Sequence, residues 1–434
     1  MSAPRAPRPR VVILGGGFGG IYAARRLARA PVDVMVVDRT NHFVFQPLLY
    51  QVATAVLAPT DIAVPIRWRL RRQRNASVVL AEVTGVDVER RTVSLDRAPT
   101  VLPYDYLIVA TGARHAYFGH SEWERQAPGL KSLADAEEIR SRFLMAFERA
   151  EWAASEAERE AQLTFVVVGG GPTGVELAGM IPPASQHTFR KEFHNIDSRR
   201  ARIILLEGGP RLLPAFPESL SAAAKRQLEG LGVEVRLDAL VTAVDAKGVD
   251  VRMTGTDGAS RIERIDARTV LWAAGNAASP LGSVLGVPVD RAGRVAVDAD
   301  LSVPGHREIF VVGDLASLTE GGHPIPAVAP AAMQQGPCAA RNIVHDLSGT
   351  PRERFHYVNK GELATIGRHK AVASFAHGKV RFTGYLAWWM WLLIHIMYLA
   401  GFRNRASVLI QWGYSYFTYQ RGARLIRDRF RDGA

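Results

Sequence analysis

VVILGGGFGG (11–20) is the stretch on which the fold turns. Its continuous apolar run, 11–14, reads as a short strand buried on both faces, and it leads straight into glycines. Gly15 permits a tight strand-to-helix turn, Gly17 lets the backbone approach a pyrophosphate, and Gly20 lets the next helix pack closely on the strand. That helix, IYAARRLARA (21–30), presents free N–H groups and a partial positive charge to the loop. A second strand, VDVMVVD (32–38), ends in Asp38, 18 residues past Gly20, where an acid can accept from ribose hydroxyls.

The same grammar recurs. TFVVVGGGPTGVELAG (164–179) is strand, glycine turn and helix, with Gly169, Gly171 and Gly174 in the three roles, and ARIILLE (201–207) is a strand closed by Glu207. Glu207 comes 33 residues after Gly174 because 175–200 holds a long helix and loop. A carboxylate there would bond a free 2′-hydroxyl and repel a 2′-phosphate, which favours NADH over NADPH; the alternative is an ordinary strand-end acid. Glu176, two residues past Gly174, is expected in the first helical turn. It would either stabilise the helix end or, beside the meeting point of two ligands, position substrate or handle a proton.

Two such units predict an α/β chain with two Rossmann-like dinucleotide-binding domains. Further strands are expected in DYLIVATGA (105–113), TVLWAAGN (269–276) and EIFVVGDLA (308–316), the last ending at Gly313 and Asp314. Residues 130–160, rich in Ala and Glu, read as a solvent-facing helical connector. The division expected is a discontinuous first domain (1–115 and 280–350), a second inserted between its halves (116–279), and a C-terminal region (351–434).

Composition sets limits. The 434 residues are 47% apolar and 22% charged, which suits globular domains and too long a chain for one core. One cysteine, Cys338, excludes an intrachain disulfide and a dithiol relay, and no metal-binding motif appears. Formal net charge is +12, of which the first ten residues (Arg5, Arg8, Arg10) carry +3 and residues 403–434 carry +5. Charge gathered at the termini argues against nucleic acid, which favours a basic stripe across a folded face, and suits an anionic lipid surface. The Pro- and Arg-rich start runs directly into the glycine loop, so no cleavable signal is read and the N-terminus is expected in the cytosol.

The lipid reading gains support from FTGYLAWWMWLLIHIMYLAGF (382–402), 21 residues without Asp, Glu, Lys or Arg and crowded with Trp388, Trp389 and Trp391. Length alone permits a spanning helix. His395 inside the run, flanking glycines and the aromatics favour a helix lying at the headgroup boundary. A buried helix or a homodimer face is the remaining alternative. His395 itself reads as a satisfied core residue rather than a ligand.

Two cradles in one chain commonly hold a flavin in the first and a nicotinamide in the second, so hydride chemistry passes between them. Over most of its length the sequence resembles the type II, or alternative, NADH:quinone oxidoreductases, single-chain FAD enzymes of the respiratory membrane. The resemblance rests on GGGFGG with NHFVFQPLLYQVAT (41–54), GGGPTGVELAG (169–179), LLEGGPRLLP (205–214), VVGDLA (311–316), AAMQQG (331–336), KGELATIG (360–367), and GFRNR and SYFTYQRGARLI in 401–426. It implies non-covalent FAD at Gly15, Gly17, Phe18, Gly19, Gly20, Asp38, Thr111, Gly112, Gly313 and Asp314, with Asp314 taking a ribityl hydroxyl. It implies NADH at Gly169, Gly171, Gly174, Glu176 and Glu207. Gln334 would lie where flavin meets the quinone and, with Glu176, position substrate and assist proton delivery; Lys360 is a lesser candidate that also reads as a solvated surface lysine, and Pro330 stands where the family often has a first glutamine. The activity implied is reduction of a membrane quinone (ubiquinone or menaquinone) without proton pumping, by a monotopic enzyme on the cytoplasmic face of the inner membrane. A soluble reductase of a ferredoxin-like protein and an NADH-sensing flavoprotein are the competing readings; neither needs the Trp-rich tail.

Overall fold

A computed structural model describes residues 8–254 and 260–426. Arg5, Arg427, Arg429 and Arg431, counted above toward lipid binding, lie outside them. The chain divides into two compact units: Met1–Val44, Ala63–Arg114 and Asn276–Asn359 form the first, and Phe45–Ile62, His115–Gly275 and Lys360–Ala434 the second.

The first unit is built on a six-stranded sheet. Strand Arg10–Leu14 lies at its centre, parallel to Asp33–Asp38 on one side and Tyr106–Val109 on the other, with Ile13 opposite both Val36 and Ile108. Ala76–Leu80 extends one edge in parallel. His306–Val311 extends the other, and only Ser302–Val303 beyond it runs antiparallel. Residues 11–14 are wholly buried, as a parallel strand covered on both faces must be. Helices Phe18–Arg26 and Ala329–Leu347 pack together so closely that a side chain on Gly336 would strike the carbonyl of Gly19.

The second unit repeats the plan with four parallel strands in the order Val233–Arg236, Arg202–Leu206, Thr164–Val168, Thr269–Trp272. Again the strand before the glycine loop is flanked by the two that follow it in the sequence grammar, with Val166 opposite Ile204 and Val270.

One expectation needs correction. Residues 130–160 do not form one solvent-facing connector. A helix runs Leu133–Glu151, started by a capping box at Ser132 and Asp135, and a second runs Glu156–Gln162. The longer one buries Ile139, Phe143, Leu144 and Phe147, and the two phenylalanines join Phe165 and Phe189 in an aromatic core. Its many Ala and Glu residues disguise an apolar stripe at i, i+4 and i+8, the true signal of a core-facing helix.

For the apolar tail only the spanning alternative falls. The tail forms helix Gly384–Tyr398, then a break at 399–401 where Gly401 takes φ +87°, then helix Phe402–Thr418. Fifteen residues reach roughly 22 Å, short of a ~30 Å hydrocarbon core. Among the described residues no helix is long and apolar enough to cross a membrane. The tail is tied to segment 45–62: Asn404 donates to the carbonyls of Thr60 and Asp61, Ser407 and Gln411 donate to the Asp61 carboxylate, and Trp412 donates to Gln51. Those bonds draw 45–62 and the tail into one unit, a grouping that the linear order of the chain does not suggest.

Candidate active site

The first glycine loop has the geometry its residues predict. Gly15 sits at φ +100°, and a Cβ there would lie 2.5 Å from the Ala110 carbonyl oxygen. Gly20 has no room either, since a side chain would collide with the Gly15 carbonyl. Around Gly17 nothing lies within 4 Å, so the chain leaves that space open. Gly17 caps helix Phe18–Arg26, which has no side-chain cap and no acid in its first turn, so its N–H groups remain available to an anion. Gly19 serves the crossing with Gly336, and Phe18 is buried with its ring edge-on to Phe43 at 5.1 Å.

Asp38 does more than end a strand. Its Oδ2 accepts from the Gly16 N–H at 2.6 Å, and its Oδ1 accepts from the N–H and hydroxyl of Thr40 at 2.7 and 2.8 Å. The carboxylate therefore braces the glycine loop while keeping lone-pair capacity for a ligand hydroxyl. Further along the chain, Thr111 has a buried hydroxyl without a partner among the described residues, and Gly112 takes φ +67° with open space around it. Gly313 takes φ +75° in a short 3₁₀ turn with half-buried Asp314. Open Gly17, uncapped helix donors and the orphaned Thr111 hydroxyl fit a pyrophosphate-linked cofactor.

The second loop repeats this in detail. Gly169 is at φ +106° with a Cβ position 2.7 Å from backbone of 273–274, Gly174 abuts the Gly169 carbonyl, and Gly171 faces open space. Glu207 Oε2 accepts from Gly170 N–H at 2.6 Å and Oε1 from Gly209 N–H at 2.7 Å. The acid at the end of the second strand holds the middle glycine of the loop in both units.

Glu176 departs from expectation. In helix Pro172–Pro183 it is the fifth residue, past the first turn, so the helix-end reading fails. Its surroundings do not favour charge: burial pushes its pKa up to about 8, and only the Thr365 N–H, 3.5 Å from Oε1, works the other way. Tyr50 is close enough for Glu176 to help raise its pKa. At neutral pH the carboxyl is therefore mainly protonated, and it can give up a proton.

Thr365 and Tyr50 both belong to the wall of an aromatic pocket in the second unit, together with Trp388, Trp391, Trp412 and Tyr416. Gln51 Nε2 donates to the Tyr50 hydroxyl at 2.9 Å, and Gln51 Oε1 accepts from Trp412 Nε1 at 2.6 Å. The pocket was hidden in the sequence because its wall comes from four distant segments. The LLYQVA run of the resemblance marked one of them without saying what it faces.

Gln334 lies in the first unit, and its amide is engaged: Nε2 donates to the carbonyls of Pro330 and Val358, and Oε1 accepts from Val358 N–H. Gln335, which the sequence did not single out, is buried and accepts from Gly313 N–H at 2.6 Å, fixing the turn that carries Asp314. Lys360 donates to the Tyr398 hydroxyl at 3.0 Å. His395 is a satisfied interior residue, stacked on Trp391 and bonded to its carbonyl, with burial driving its pKa down to about 4. Cys338 is buried and its thiol is pushed up to about 12, chiefly by burial, so it is no nucleophile.

Residues 9–336 match the family model of pyridine nucleotide-disulphide oxidoreductases, and the chain belongs to that family. Residues 359–419 match the model of the NDH2 C-terminal domain. The chain is 47% identical over 433 residues to the type II NADH:quinone oxidoreductase NdhA of Mycobacterium tuberculosis, covering 97% of this chain and 90% of the relative. It is 44% identical to Ndh of the same organism, covering 97% and 91%. Within the wider class, therefore, it belongs to the type II NADH:quinone oxidoreductases. Among solved structures, NDH2 of Plasmodium falciparum in complex with NADH shares the fold, with a TM-score of 0.87 at 22% identity over 96% of this chain and 99% of that one.

Proposed function

We propose that this protein oxidises NADH and reduces a membrane quinone, ubiquinone or menaquinone, to the quinol as a FAD flavoprotein. The observation that carries the reading is the pair of braced glycine cradles, one in each unit, in a chain whose second unit also holds an aromatic pocket against Thr365 and the protonated Glu176. FAD, when bound, supplies the two-electron relay between nicotinamide and quinone. The first cradle binds it through Gly15, Gly17, Gly20 and Asp38, with Thr111, Gly112, Gly313 and Asp314 as further contacts. The second cradle binds NADH through Gly169, Gly171, Gly174 and Glu207. Glu176 holds a proton destined for the quinone, and Gln334 fixes the 357–359 segment by clamping Val358. In functional terms, 1–115 with 280–350 serves FAD, 116–279 serves NADH, and 351–434, with Tyr50 and Gln51 lent by segment 45–62, serves quinone access and membrane attachment. No residue acts as a covalent nucleophile, and no step moves charge across the bilayer.

Attachment falls to the tail. Phe402, Ile410 and Phe417 are 88%, 71% and 82% exposed, and Leu386, Trp389, Leu393 and Met397 add further apolar surface. Apolar area of that kind, on helices too short to span, suits a monotopic enzyme on the cytoplasmic face of the inner membrane. The same surface offers a homodimer face. The basic tail contributes less than its charge suggests, because Arg421 is buried and Arg424 pairs with Glu192.

Stopped-flow spectroscopy tests the activity. Purified yellow protein should bleach with NADH and recover its colour with a short-chain quinone. Recovery with O₂ alone, to which quinone adds nothing, would overturn the quinone reading.

A further inference from the structure

The aromatic pocket has an unusual polarity. Arg421 is 5% exposed, yet among the described residues its guanidinium donates only to two carbonyls, those of Thr54 and Met180, at 2.6 Å each. Arg368 has two buried donors, Nε and Nη1, without partners among the described residues, and its guanidinium lies 3.6 Å from the Tyr419 ring centroid and 4.9 Å from that of Tyr416. Trp391, 2% exposed, has a buried indole Nε1 that also has no partner among the described residues. All three residues belong to the same wall. Among the described residues neither arginine has a carboxylate partner, whereas Arg424, three positions from Arg421, is paired with Glu192.

Buried donors left unmade cost stability, and a buried cation without a counter-charge costs more. Burial and the neighbouring Arg424 pull the Arg421 pKa down to about 9, in the direction that such an environment imposes on a cation. Such an arrangement persists where a ligand supplies the missing acceptors. Arginine and the indole N–H can only donate, so the missing partner is an acceptor or an anion. Aromatic walls add the requirement that it be flat.

We propose that Arg368, Trp391 and Arg421 recognise the quinone by its carbonyl oxygens and stabilise the negative charge those oxygens gain as the ring is reduced. The proposal rests on the quinone activity above and gives residues to it. The overall step is NADH + H⁺ + quinone → NAD⁺ + quinol: two electrons leave the nicotinamide, both carbonyl oxygens become hydroxyls, and Glu176 supplies one of the two protons. Between arrival of electrons and arrival of protons the oxygens are electron-rich. Fixed donors aimed at developing charge in a site with little water favour that moment over the neutral ground state.

The experiment compares flavin-loaded parent with Arg368→Gln, Arg368→Lys, Arg421→Gln, Arg421→Lys and Trp391→Phe, each normalised to bound flavin. We expect kcat for a short-chain quinone to fall by about tenfold in Arg368→Gln and Arg421→Gln, with a smaller change in KM and substantial recovery in the lysine variants. Trp391→Phe keeps the ring and loses one donor, so it should fall several-fold. Independently, ionised 2-hydroxy-1,4-naphthoquinone should inhibit the parent more strongly than its neutral 2-methoxy analogue, and the glutamine variants should lose that preference. The proposal is overturned if the flavin-loaded glutamine variants keep kcat within twofold, if lysine variants fall as far as glutamine ones, or if the parent does not prefer the anionic analogue. Should Arg421→Gln fail to fold, Arg368→Gln and Trp391→Phe decide the matter. A parent that reduces no quinone at all would sink the activity itself.

Discussion

Oε1 of Glu176 lies 3.5 Å from the backbone nitrogen of Thr365, and among the described residues that long bond is the one hydrogen bond its carboxyl makes. A carboxyl so placed is easier to protonate than to ionise, which gives the protein a pH signature. The folded pKa, about 8, lies above the ordinary value of 4.5. Between those two values the folded state holds a proton that the unfolded chain releases. Stability is therefore undiminished at and below pH 4.5 as far as this group is concerned, and it declines as pH rises toward 8. Glu176→Gln removes the titration, so its melting temperature relative to the parent should improve from pH 5 to pH 8. Calorimetry across that range checks it, and parallel curves would refute it. Quinone reduction by the parent should also fall above pH 8, and the substitution should flatten that limb.

The brace between Glu207 and Gly170 makes a specificity change costlier than a swap of charge. Glu207→Arg should lower the preference for NADH over NADPH by tenfold or more, because a cation replaces the carboxylate that repels a 2′-phosphate. The variant also loses the bonds to Gly170 and Gly209, so KM for both nucleotides should rise. Steady-state kinetics with each nucleotide decide it; an unchanged ratio refutes the ribose role.

Two glycines of the first loop should answer differently to alanine. Gly17→Ala meets no protein atom, so the chain should fold with normal stability and hold FAD less tightly. Gly20→Ala drives a methyl into the Gly15 carbonyl and should destabilise by about 2–4 kcal/mol or abolish folding. Thermal melts beside flavin absorbance separate the cases. Equal behaviour of the two would contradict the division of labour between ligand access and packing.

Gln335→Leu should lose FAD although its side chain need not touch the cofactor, because it removes the acceptor of the half-buried Gly313 N–H and leaves it unpaired at a cost of about 1 kcal/mol. Flavin retention on gel filtration measures this.

Membrane attachment can be tested without deleting the tail, which carries the walls of the aromatic pocket. Each of Phe402, Ile410 and Phe417, if buried in lipid, contributes roughly 1.5–3 kcal/mol. Changing all three to Glu should abolish co-sedimentation with vesicles while flavin content stays unchanged. Continued sedimentation after a high-salt wash would refute the assignment.

Local grammar made the two nucleotide folds legible from sequence. Strand, glycine spacing and terminal acid all fall within about 45 residues in each unit, and the parallel pairings follow from them. What the sequence concealed is set by long-range contact. Arg421 reads as one more cation of a basic tail, and only its bonds to Thr54 and Met180, far away in the chain, show it to be interior. Gln334 and Gln335 are adjacent and chemically identical, so nothing local tells which one holds Gly313 and which holds Val358. The phenylalanines of Leu133–Glu151 were masked by the Ala and Glu between them.

If the tail docks on lipid as proposed, the break at Gly401 decides how the enzyme meets the bilayer. One uninterrupted rod of those apolar residues would commit the chain to the oil for life, with polar flanks stranded on opposite sides. Folded back on itself, the tail keeps both ends on one side and needs no translocation machinery. On the proposed surface docking, residence at the bilayer is then a partition equilibrium: lipid charge, ionic strength and crowding set how many copies are at work, and a copy that lets go remains a folded oxidoreductase ready to land again.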